Sequence, residues 1–365
     1  MHSETNLLPL IETSHITSEL VSVVVPAFNV GPYILRCINS ILTQTHRAVE
    51  LIVVDDCSSD DTAAILDRKA GEDGRLRVIH LSENGGVHAA RAAGVRMASG
   101  AYLGFVDADD WAAPGMYGAM LREARDHDAD IVICGAIATA DVNQPGRPKA
   151  RFRRHRVLEN DLLRRFCHLE FGSGVLWNKL YRASVIRPFA VVPLEREVDA
   201  AEDYIVNVGC FAVAARVVTL PESYYYYYKR PESASRTGTE AAKFCRVVRA
   251  YTACLEVYAA SLPHSLAQID WLYARQLRHD CYRVPHFGDL EPFRQEMRES
   301  MRRLAAVRPE SIYPLIHAFD RENAEEVLGV RAAVRGLRAS GQALIRAVCG
   351  KSARVFRAAR ESAEK

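Results

Sequence analysis

Short apolar runs alternate with segments of helical periodicity from about residue 21 to residue 136. The first two runs are VSVVV at 21–25 and ELIVV at 50–54. Between them, isoleucine and leucine recur at helical spacing from residue 34 to residue 42, which predicts a helix. Further strands are predicted at 77–81, 101–106 and 130–135, and further helices at 59–70, 87–98 and after 114. This alternation predicts an α/β fold, in which helices cover both faces of a mostly parallel central sheet.

The predicted strands end in polar and acidic residues, at the carboxyl ends where parallel sheets bind ligands. The first strand ends in PAFN at 26–29, the second in Asp55 and Asp56, and the fourth in DADD at 107–110. Carboxylates gathered at one edge repel one another, and Mg²⁺ or Mn²⁺ would offset that repulsion because these cations prefer oxygen ligands. The alternative is that an aspartate pair only caps the helix that follows it. The pattern predicts a cleft with a cation site and leaves capping open for any single pair.

The second half of the chain is less regular. The stretch VVTLPESYYYYY at 217–228 predicts a strand, a turn and a second strand, with Tyr225 and Tyr227 on the face opposite the other three tyrosines. The basic stretch at 141–156 predicts an exposed loop, either a solvated surface or a contact for an anionic acceptor. After about residue 240 only helical spacing continues, which predicts a helical C-terminal appendage.

Composition excludes several classes of protein. The 365 residues are 49% hydrophobic and 25% charged, which is ordinary for a globular protein, and the net charge of +2 does not indicate a nucleic-acid partner. Nine cysteines without a CxxC pair do not indicate a disulfide framework or a zinc site, and favour a reducing compartment. The absence of a long apolar run predicts no membrane span, and the first 20 residues are interpreted as a leader that is not a signal peptide.

Four segments in register resemble the family 2 glycosyltransferases of the GT-A fold. They are VSVVVPAFN at 21–29, LIVVDDCSSDDT at 51–62, NGGVHAARAAG at 84–94 and AYLGFVDADDW at 101–111. The resemblance extends over about residues 21–236 and implies a nucleotide-diphospho-sugar transferase domain. It predicts a leader at 1–20, a catalytic domain at 21–238 and a helical region with a basic tail at 239–365.

The resemblance implies a donor site for a nucleotide sugar, with UDP as the expected nucleotide. In it, Asp55 or Asp56 would bind the base, and Arg91, on the helix after Gly86, would reach toward the nucleotide; the alternative for Arg91 is a solvated side chain. Asp107 to Asp109, with Ala108 between them, match the DxD motif, in which Asp107 would lie near the ribose and Asp109 would bind Mn²⁺ or Mg²⁺ directly. The base and ribose would be lined by Pro26, Ala27, Phe28 and Asn29.

Two later segments extend the resemblance toward the acceptor. Glu202 and Asp203 match an acidic pair that opens a helix, and Asp203 is the expected general base of an inverting transfer; helix capping is the alternative. In GSGVLWNKLYR at 172–182, Trp177 would stack on a sugar and Lys179 would approach the diphosphate, whereas the alternative is packing for Trp177 with Lys179 at the surface. Arg230 or Arg236 would also approach the diphosphate.

The sequence therefore predicts an inverting, metal-dependent transferase that moves a sugar from a UDP-sugar to an acceptor hydroxyl. The expected acceptor is a carbohydrate or lipid-linked saccharide of a bacterial surface polysaccharide. The protein itself is expected in the cytoplasm, either free or at the inner face of the cytoplasmic membrane. The tail at 331–365, with nine basic and two acidic residues, would lie on an anionic membrane surface, in solvent or in an oligomer contact. One alternative is a sugar nucleotidyltransferase, although the loop at 26–29 is neither glycine-rich nor basic. The other is a non-catalytic binding module with the same fold.

Overall fold

The computed structural model describes residues 20–141, 146–230, 239–281 and 292–312. The chain divides into two compact units, Met1–Ser233 and Ala234–Lys365. The predicted leader, apart from residue 20, the position of Arg236 and the basic tail at 331–365 lie outside the described residues. Within the described part, no helix combines the length and the apolar character needed to cross a membrane.

The first unit is built around a ten-stranded sheet with the order β3-β2-β1-β4-β9-β6-β10-β5, in which β7 pairs with β6 and β8 pairs with β10. Its strands are β1 (Val21–Ala27), β2 (Val49–Asp55), β3 (Leu76–His80), β4 (Tyr102–Phe105), β5 (Trp111–Ala112), β6 (Ile131–Thr139), β7 (Arg147–Ala150), β8 (Arg156–Leu158), β9 (Lys179–Arg182) and β10 (Val217–Tyr228). Its helices are α1 (Gly31–Leu42), α2 (Thr62–Glu72), α3 (Gly86–Met97), α4 (Met116–Asp126), α5 (Leu162–Cys167), α6 (Ala183–Ala190) and α7 (Glu202–Val213).

The predicted α/β fold with a mostly parallel centre is confirmed. The strands β3, β2, β1 and β4 are parallel neighbours, and β6 and β10 also pair in parallel. The antiparallel β9 lies between β4 and β6, so those two strands run in the same direction. Because β1 and β4 are adjacent and parallel, the residues that follow them emerge at one edge of the sheet.

Helix α3 packs closely against the centre of the sheet. A Cβ at Gly94 would lie 2.4 Å from a methyl carbon of Val24 on β1 and 3.3 Å from one of Val54 on β2. Any side chain at this position would force the helix or the strands to move. Gly94 therefore fixes the height of α3 above β1 and β2.

The sequence prediction for residues 217–228 was wrong in one respect, because a single twelve-residue strand, β10, replaces the predicted strand, turn and strand. Its pairing with β6 shifts register between Thr219 and Ser223, so Pro221 falls within a bulge. A bulge accommodates proline because the ring nitrogen has no hydrogen to donate to the neighbouring strand. The predicted alternation of the tyrosines holds, since Tyr225 stacks on Trp177 while Tyr226 stacks on Trp111.

The second helix also differs from its predicted start, because α2 begins at Thr62 and not at 59 or 60. Asp60 accepts hydrogen bonds from the backbone N–H of Gly31 at 3.1 Å and of Thr62 at 3.0 Å. Its carboxylate therefore joins the beginnings of α1 and α2.

The described residues of the second unit are helical, as predicted, with α8 (Glu240–Tyr258), α9 (Leu266–Cys281), α10 (Arg294–Val307) and a 3-10 turn at Pro309–Ile312. A buried polar network centres on Asp270. Its carboxylate accepts from the Tyr251 hydroxyl at 2.7 Å, the Ser311 hydroxyl at 2.8 Å and Arg308 Nη1 at 2.8 Å. These bonds connect α8, α9 and the 3-10 turn, so the network stabilises the packing of the unit.

Candidate active site

Three carboxylates from two regions of the first unit meet on one buried guanidinium. Arg91, on α3, is 5% exposed. Its Nη1 donates to Glu202 Oε1 at 2.7 Å and to Asp203 Oδ1 at 2.6 Å, and its Nη2 donates to Asp107 Oδ1 at 3.0 Å. We call Asp107, Glu202 and Asp203 the carboxylate cluster. Arg91 is thus not the solvated side chain considered from the sequence, because it joins the end of β4 to the start of α7, and its approach to a nucleotide stays a prediction.

Local structure at the start of α3 places Arg91. Asp56 accepts from the backbone N–H of Gly85 at 2.7 Å and of Gly86 at 2.9 Å. Gly86 has a φ of +85°, a conformation that glycine adopts without strain. A negative charge at a helix N-terminus is also favourable for the helix dipole. Asp56 therefore anchors the turn from which α3, and with it Arg91, begins.

Asp55 is also hydrogen-bonded within the protein. Its Oδ1 accepts from the backbone N–H of Ser58 at 3.1 Å, and its Oδ2 lies 2.8 Å from His80 Nδ1. His80 in turn lies 3.0 Å from Asp67, and the hydrogen bonds to the two carboxylates raise the pKa of the imidazole. Both Asp55 and Asp56 are 3% exposed, and both are hydrogen-bonded within the protein. A contact of either carboxylate with a nucleotide base stays a prediction.

The loop after β1 lies beside the loop after β2. Asn29 has a φ of +50°, and its Oδ1 accepts from the backbone N–H of Ser59 at 2.8 Å. The carbonyl of Ala27 accepts from the backbone N–H of Asp56 at 2.8 Å. Phe28 projects outward with 46% exposure, while Pro26 still belongs to β1. An exposed aromatic ring at this edge suits a planar ligand such as a base.

The DADD segment follows β4, and its three carboxylates have different partners. Asp109 Oδ2 lies 2.7 Å from Arg230 Nε, and the backbone carbonyl of Asp109 accepts from Arg36 Nη2 at 2.7 Å. The guanidinium of Arg36 lies over the rings of Trp111, at 4.2 Å, and Tyr228, at 4.6 Å. Arg230, one of the two arginines that the sequence singled out, therefore lies next to the DxD motif.

Asp110 is fully buried and is hydrogen-bonded to β10, which in turn contacts the DxD motif. Its Oδ2 accepts from the Tyr225 hydroxyl at 2.7 Å, and its Oδ1 accepts from the backbone N–H of Tyr228 at 2.7 Å. The Tyr225 oxygen in turn accepts from the backbone N–H of Asp107 at 3.1 Å. Burial and the neighbouring carboxylates raise the pKa of Asp110. From the sequence, Asp110 was one of the acidic residues after the fourth strand, with helix capping as the alternative, and its long-range partners Tyr225 and Tyr228 were not evident.

Burial and repulsion by neighbouring carboxylates shift Asp107 and Asp203 toward the protonated state. Burial is the main cause that raises the pKa of Asp203 to about 7, with Glu202 adding to the shift and Arg91 opposing it. Burial likewise raises the pKa of Asp107 to about 6, against the opposing charge of Arg91. A pKa near neutrality is the range in which a carboxylate exchanges protons most effectively at physiological pH.

The segment that leads into β9 contacts Asp203, and the two other predicted contacts, Trp177 and Lys179, lie just before β9 and at its first residue. Trp177 is 4% exposed and stacks on Tyr225 with 4.3 Å between ring centroids, so the structure favours packing over a sugar contact. Lys179 is fully buried and not at the surface. Its Nζ donates to the carbonyls of Val175 at 2.5 Å and Ser173 at 3.3 Å.

Lys179 therefore supports the loop that reaches Asp203, since the backbone N–H of Leu176 donates to Asp203 Oδ2 at 3.3 Å. Burial lowers the pKa of Lys179 to about 7. An approach of Lys179 to a diphosphate would require it to leave these carbonyls. This geometry favours a structural role for Lys179, which the sequence had placed either at the diphosphate or at the surface.

Replacing Tyr225 with phenylalanine is expected to lower the free energy of unfolding by about 1–3 kcal/mol, because Asp110 would lose a hydrogen bond while staying buried. Urea denaturation followed by circular dichroism measures the loss. Tyr226→Phe is the matched control, since Tyr226 is half-buried on the opposite face of β10. Equal losses in the two variants would contradict the supporting role of the Tyr225 hydroxyl.

Comparisons with known proteins find matches to both the sequence and the fold of this chain. The family model described as "Glycosyl transferase family 2" matches residues 22–188. The "Uncharacterized glycosyltransferase EpsJ" of Bacillus subtilis (strain 168) is 33% identical over 242 residues, which cover 66% of this chain and 70% of EpsJ. The "Succinoglycan biosynthesis protein ExoO" of Rhizobium meliloti (strain 1021) is 31% identical over 225 residues, 59% of this chain and 62% of ExoO.

The fold also matches solved structures. The crystal structure of S. aureus TarS 1-349 in complex with UDP-GlcNAc superposes with a TM-score of 0.64 and 24% sequence identity, over 88% of this chain and 92% of TarS 1-349. The predicted GT-A fold is thereby confirmed.

Proposed function

The chain belongs to glycosyl transferase family 2 and is a glycosyltransferase, and on that premise we propose that it transfers a sugar from a UDP-sugar to an acceptor hydroxyl with inversion of the anomeric carbon. The observation that carries this proposal is the meeting of Asp107, Glu202 and Asp203 on Arg91. It brings the DxD motif and the expected base to the two terminal nitrogens of one guanidinium. A transferase needs this proximity because donor and acceptor must react in line.

In this proposal Asp203 is the general base. Its side chain is 14% exposed, and Arg91 and the backbone N–H of Leu176 hold its two oxygens. The acceptor oxygen attacks the anomeric carbon while Asp203 takes the hydroxyl proton, and the bond from that carbon to the diphosphate oxygen breaks. One displacement of this kind inverts the configuration. Arg91 keeps Asp203 oriented, and the raised pKa allows the carboxylate to accept the proton near pH 7.

The residues of the DxD motif fit a divalent cation. Asp107 and Asp109 offer carboxylate oxygens with 32% and 16% of their side chains exposed, and Arg230 is an ion-pair partner of Asp109. The raised pKa of Asp107 reflects repulsion by Asp109 and Asp203 as well as burial. We propose that Asp109 and Asp107 hold Mn²⁺ or Mg²⁺. When bound, the cation would offset the charge that develops on the departing diphosphate.

The donor and acceptor classes rest on the relatives. UDP-GlcNAc is the ligand named for TarS, and succinoglycan biosynthesis is the process named for ExoO. We propose a UDP-sugar as the donor of this chain and a saccharide, free or lipid-linked, of a bacterial surface polysaccharide as its acceptor. Phe28 and Asn29, at the edge near Asp55 and Asp56, would then line the base and ribose.

The experiment that tests the function measures UDP release from a panel of UDP-sugars, with Mn²⁺ and with saccharide acceptors. We expect one donor to release UDP faster when its acceptor is present. Pyrophosphate release from a nucleoside triphosphate and a sugar phosphate, without any UDP release, would instead identify a nucleotidyltransferase. Donor binding without turnover across the panel would favour a binding module.

Addition of Mn²⁺ together with UDP is expected to raise the melting temperature, because a ligand at a hundred times its dissociation constant stabilises the folded state by about 2.7 kcal/mol. Asp109→Asn should lose most of this shift, since it removes a proposed cation ligand. Asp128→Asn is the matched control, because Asp128 is an exposed partner of Arg182. Differential scanning fluorimetry measures all three proteins, and an undiminished shift in Asp109→Asn would argue against the cation site.

A further inference from the structure

A second group of metal-ligating side chains lies at the C-terminal end of α4. Glu123 lies near the end of this helix, His127 follows it, and His155 precedes β8. Glu123 Oε2 lies 2.8 Å from His155 Nε2 and 3.4 Å from His127 Nε2, and the three ligand atoms all lie within 4.8 Å of one another. We call these three residues the histidine cluster.

The histidine cluster is separate from the carboxylate cluster. Helix α4 ends shortly before β6 begins at Ile131, whereas the carboxylate cluster follows the end of β4. The strands β4 and β6 run in the same direction, with the antiparallel β9 between them. The residues before the start of β6 and those after the end of β4 therefore lie at opposite ends of the strands. The cysteine pattern argues only against a cysteine-based zinc site, and the histidine cluster contains no cysteine.

The protein scaffold brings the ligands together without an ion. Arg216, at the start of β10, donates from Nη1 to the backbone carbonyl of His127 and from Nε to Glu159 Oε1 at 2.7 Å. Strand β8, which His155 precedes, pairs with β10 from Thr219↔Arg156 to Val217↔Leu158. The two ligand-bearing segments are therefore both tied to the same end of β10. Such preorganisation favours metal affinity, because less ordering is needed on binding.

The ligand set has the chemistry of a zinc site. Two imidazoles and one carboxylate bind Zn²⁺ with a fourth position left for water, and metal–ligand distances of about 2.0–2.2 Å place the ligand atoms of a tetrahedral ion about 3.3–3.5 Å apart. The separations of Glu123 Oε2 from the two imidazoles, 2.8 and 3.4 Å, lie near that range, and the two imidazoles offer nitrogens within 4.8 Å of each other. The side chains of Glu123, His127 and His155 are 23%, 37% and 40% exposed, so an ion and its water can enter from solvent.

We propose that the histidine cluster binds a zinc-type transition metal ion, which fastens the connection between β7 and β8 to the end of α4. Imidazole nitrogens favour Zn²⁺, Cu²⁺ or Ni²⁺ over Mg²⁺. The site is thus distinct in ligand type from the oxygen ligands of the DxD motif. The site lies at the opposite end of the strands from the carboxylate cluster, so we expect sugar transfer in the presence of Mn²⁺ not to depend on it.

The test is equilibrium dialysis of the full chain against buffered Zn²⁺, with the bound metal counted by atomic emission. The parent is expected to bind one zinc ion per chain more than the double variant His127→Ala/His155→Ala, and to hold that additional ion tightly. The single change Glu123→Gln should raise the dissociation constant at least about tenfold, since loss of even an indirect support for a metal ligand commonly weakens binding 10- to 100-fold. Counting the difference between variants separates this site from zinc bound at the DxD motif or at the exposed thiol of Cys57.

His264→Ala is the matched control, because His264 is an exposed histidine of the second unit. It should bind as much zinc as the parent. Melting temperatures without metal should be close to that of the parent in all variants, and Zn²⁺ should raise the melting temperature of the parent more than that of the double variant. Equal zinc stoichiometry in the parent and the double variant would overturn the proposal, as would an unchanged affinity in Glu123→Gln.

Discussion

Sugar transfer by Asp203→Asn is expected to be about 100- to 10 000-fold slower than by the parent, the range that loss of a general base commonly produces. The amide keeps the shape of the side chain and can still contact Arg91, but it cannot take the acceptor proton. Donor binding should change little, because Asp203 lies at the start of α7 and not in the loops after β1 and β2. Turnover with a saturating acceptor and the dissociation constant of the donor, measured side by side, separate the two effects.

The pH dependence of the parent gives a second test of the same base. Burial raises the pKa of Asp203 to about 7, so the ionised form that can accept a proton is lost as the pH falls through that value. Turnover should therefore fall toward a tenfold loss per pH unit below about pH 7 and level off above it. Asp199→Asn, a change at an exposed carboxylate four residues earlier, should keep the parental rate and profile. Parental turnover in Asp203→Asn would refute the assignment.

Arg91→Ala is expected to lower the free energy of unfolding by about 3–5 kcal/mol at pH 7, the cost of leaving buried charges without their partner. Asp107, Glu202 and Asp203 would then face one another with no guanidinium among them. Chemical denaturation of the parent and the variant measures the loss. Arg165→Ala is the control, since Arg165 pairs with Glu170 at the surface, where such a pair contributes at most about 1 kcal/mol.

The sign of the pH effect on this loss follows from the raised pKa values. Asp107 and Asp203 hold protons in the folded state up to about pH 6 and pH 7, but only to about pH 4 when unfolded. The folded chain binds more protons between these limits, so its stability falls as the pH rises through them. At pH 8 both carboxylates are ionised and need the charge of Arg91, whereas at pH 5 both are mostly protonated. The loss of stability in Arg91→Ala should therefore be larger at pH 8 than at pH 5. A loss that is independent of pH would show that packing, and not charge, accounts for it.

The order of strands and helices in the first unit could be predicted because its strands are apolar at nearly every position and are separated by helical periodicity. The convergence of acidic residues followed from the same pattern, since parallel strands end at one edge. The partners of Arg91 could not be predicted, because Asp107, Glu202 and Asp203 reach it only when α3, β4 and α7 pack together. Nothing within a helical stretch of small residues distinguishes a buried arginine from a solvated one.

Tertiary packing also decided the cases that the sequence left open. Trp177 and Tyr225 are far apart in the chain, and their stacking follows from the way that β9 and β10 flank β6. Lys179 was expected at the surface or at a diphosphate, but three protein oxygens make burial affordable for its ammonium group. The bulge at Pro221 replaced a turn, because continued pairing with β6 on both sides of it outweighed the local tendency of proline to end a strand.

The missing side chain at Gly94 links the precision of the reaction to packing one helical turn away from Arg91. A methyl group there would push α3 outward from Val24, and the guanidinium would be carried away from all three of its acceptors together. Hydrogen bonds of 2.6–3.0 Å weaken steeply when stretched by a fraction of an ångström. The hydrogen atom that takes the place of a side chain at Gly94 therefore determines how accurately Arg91 is positioned, although no substrate would touch Gly94.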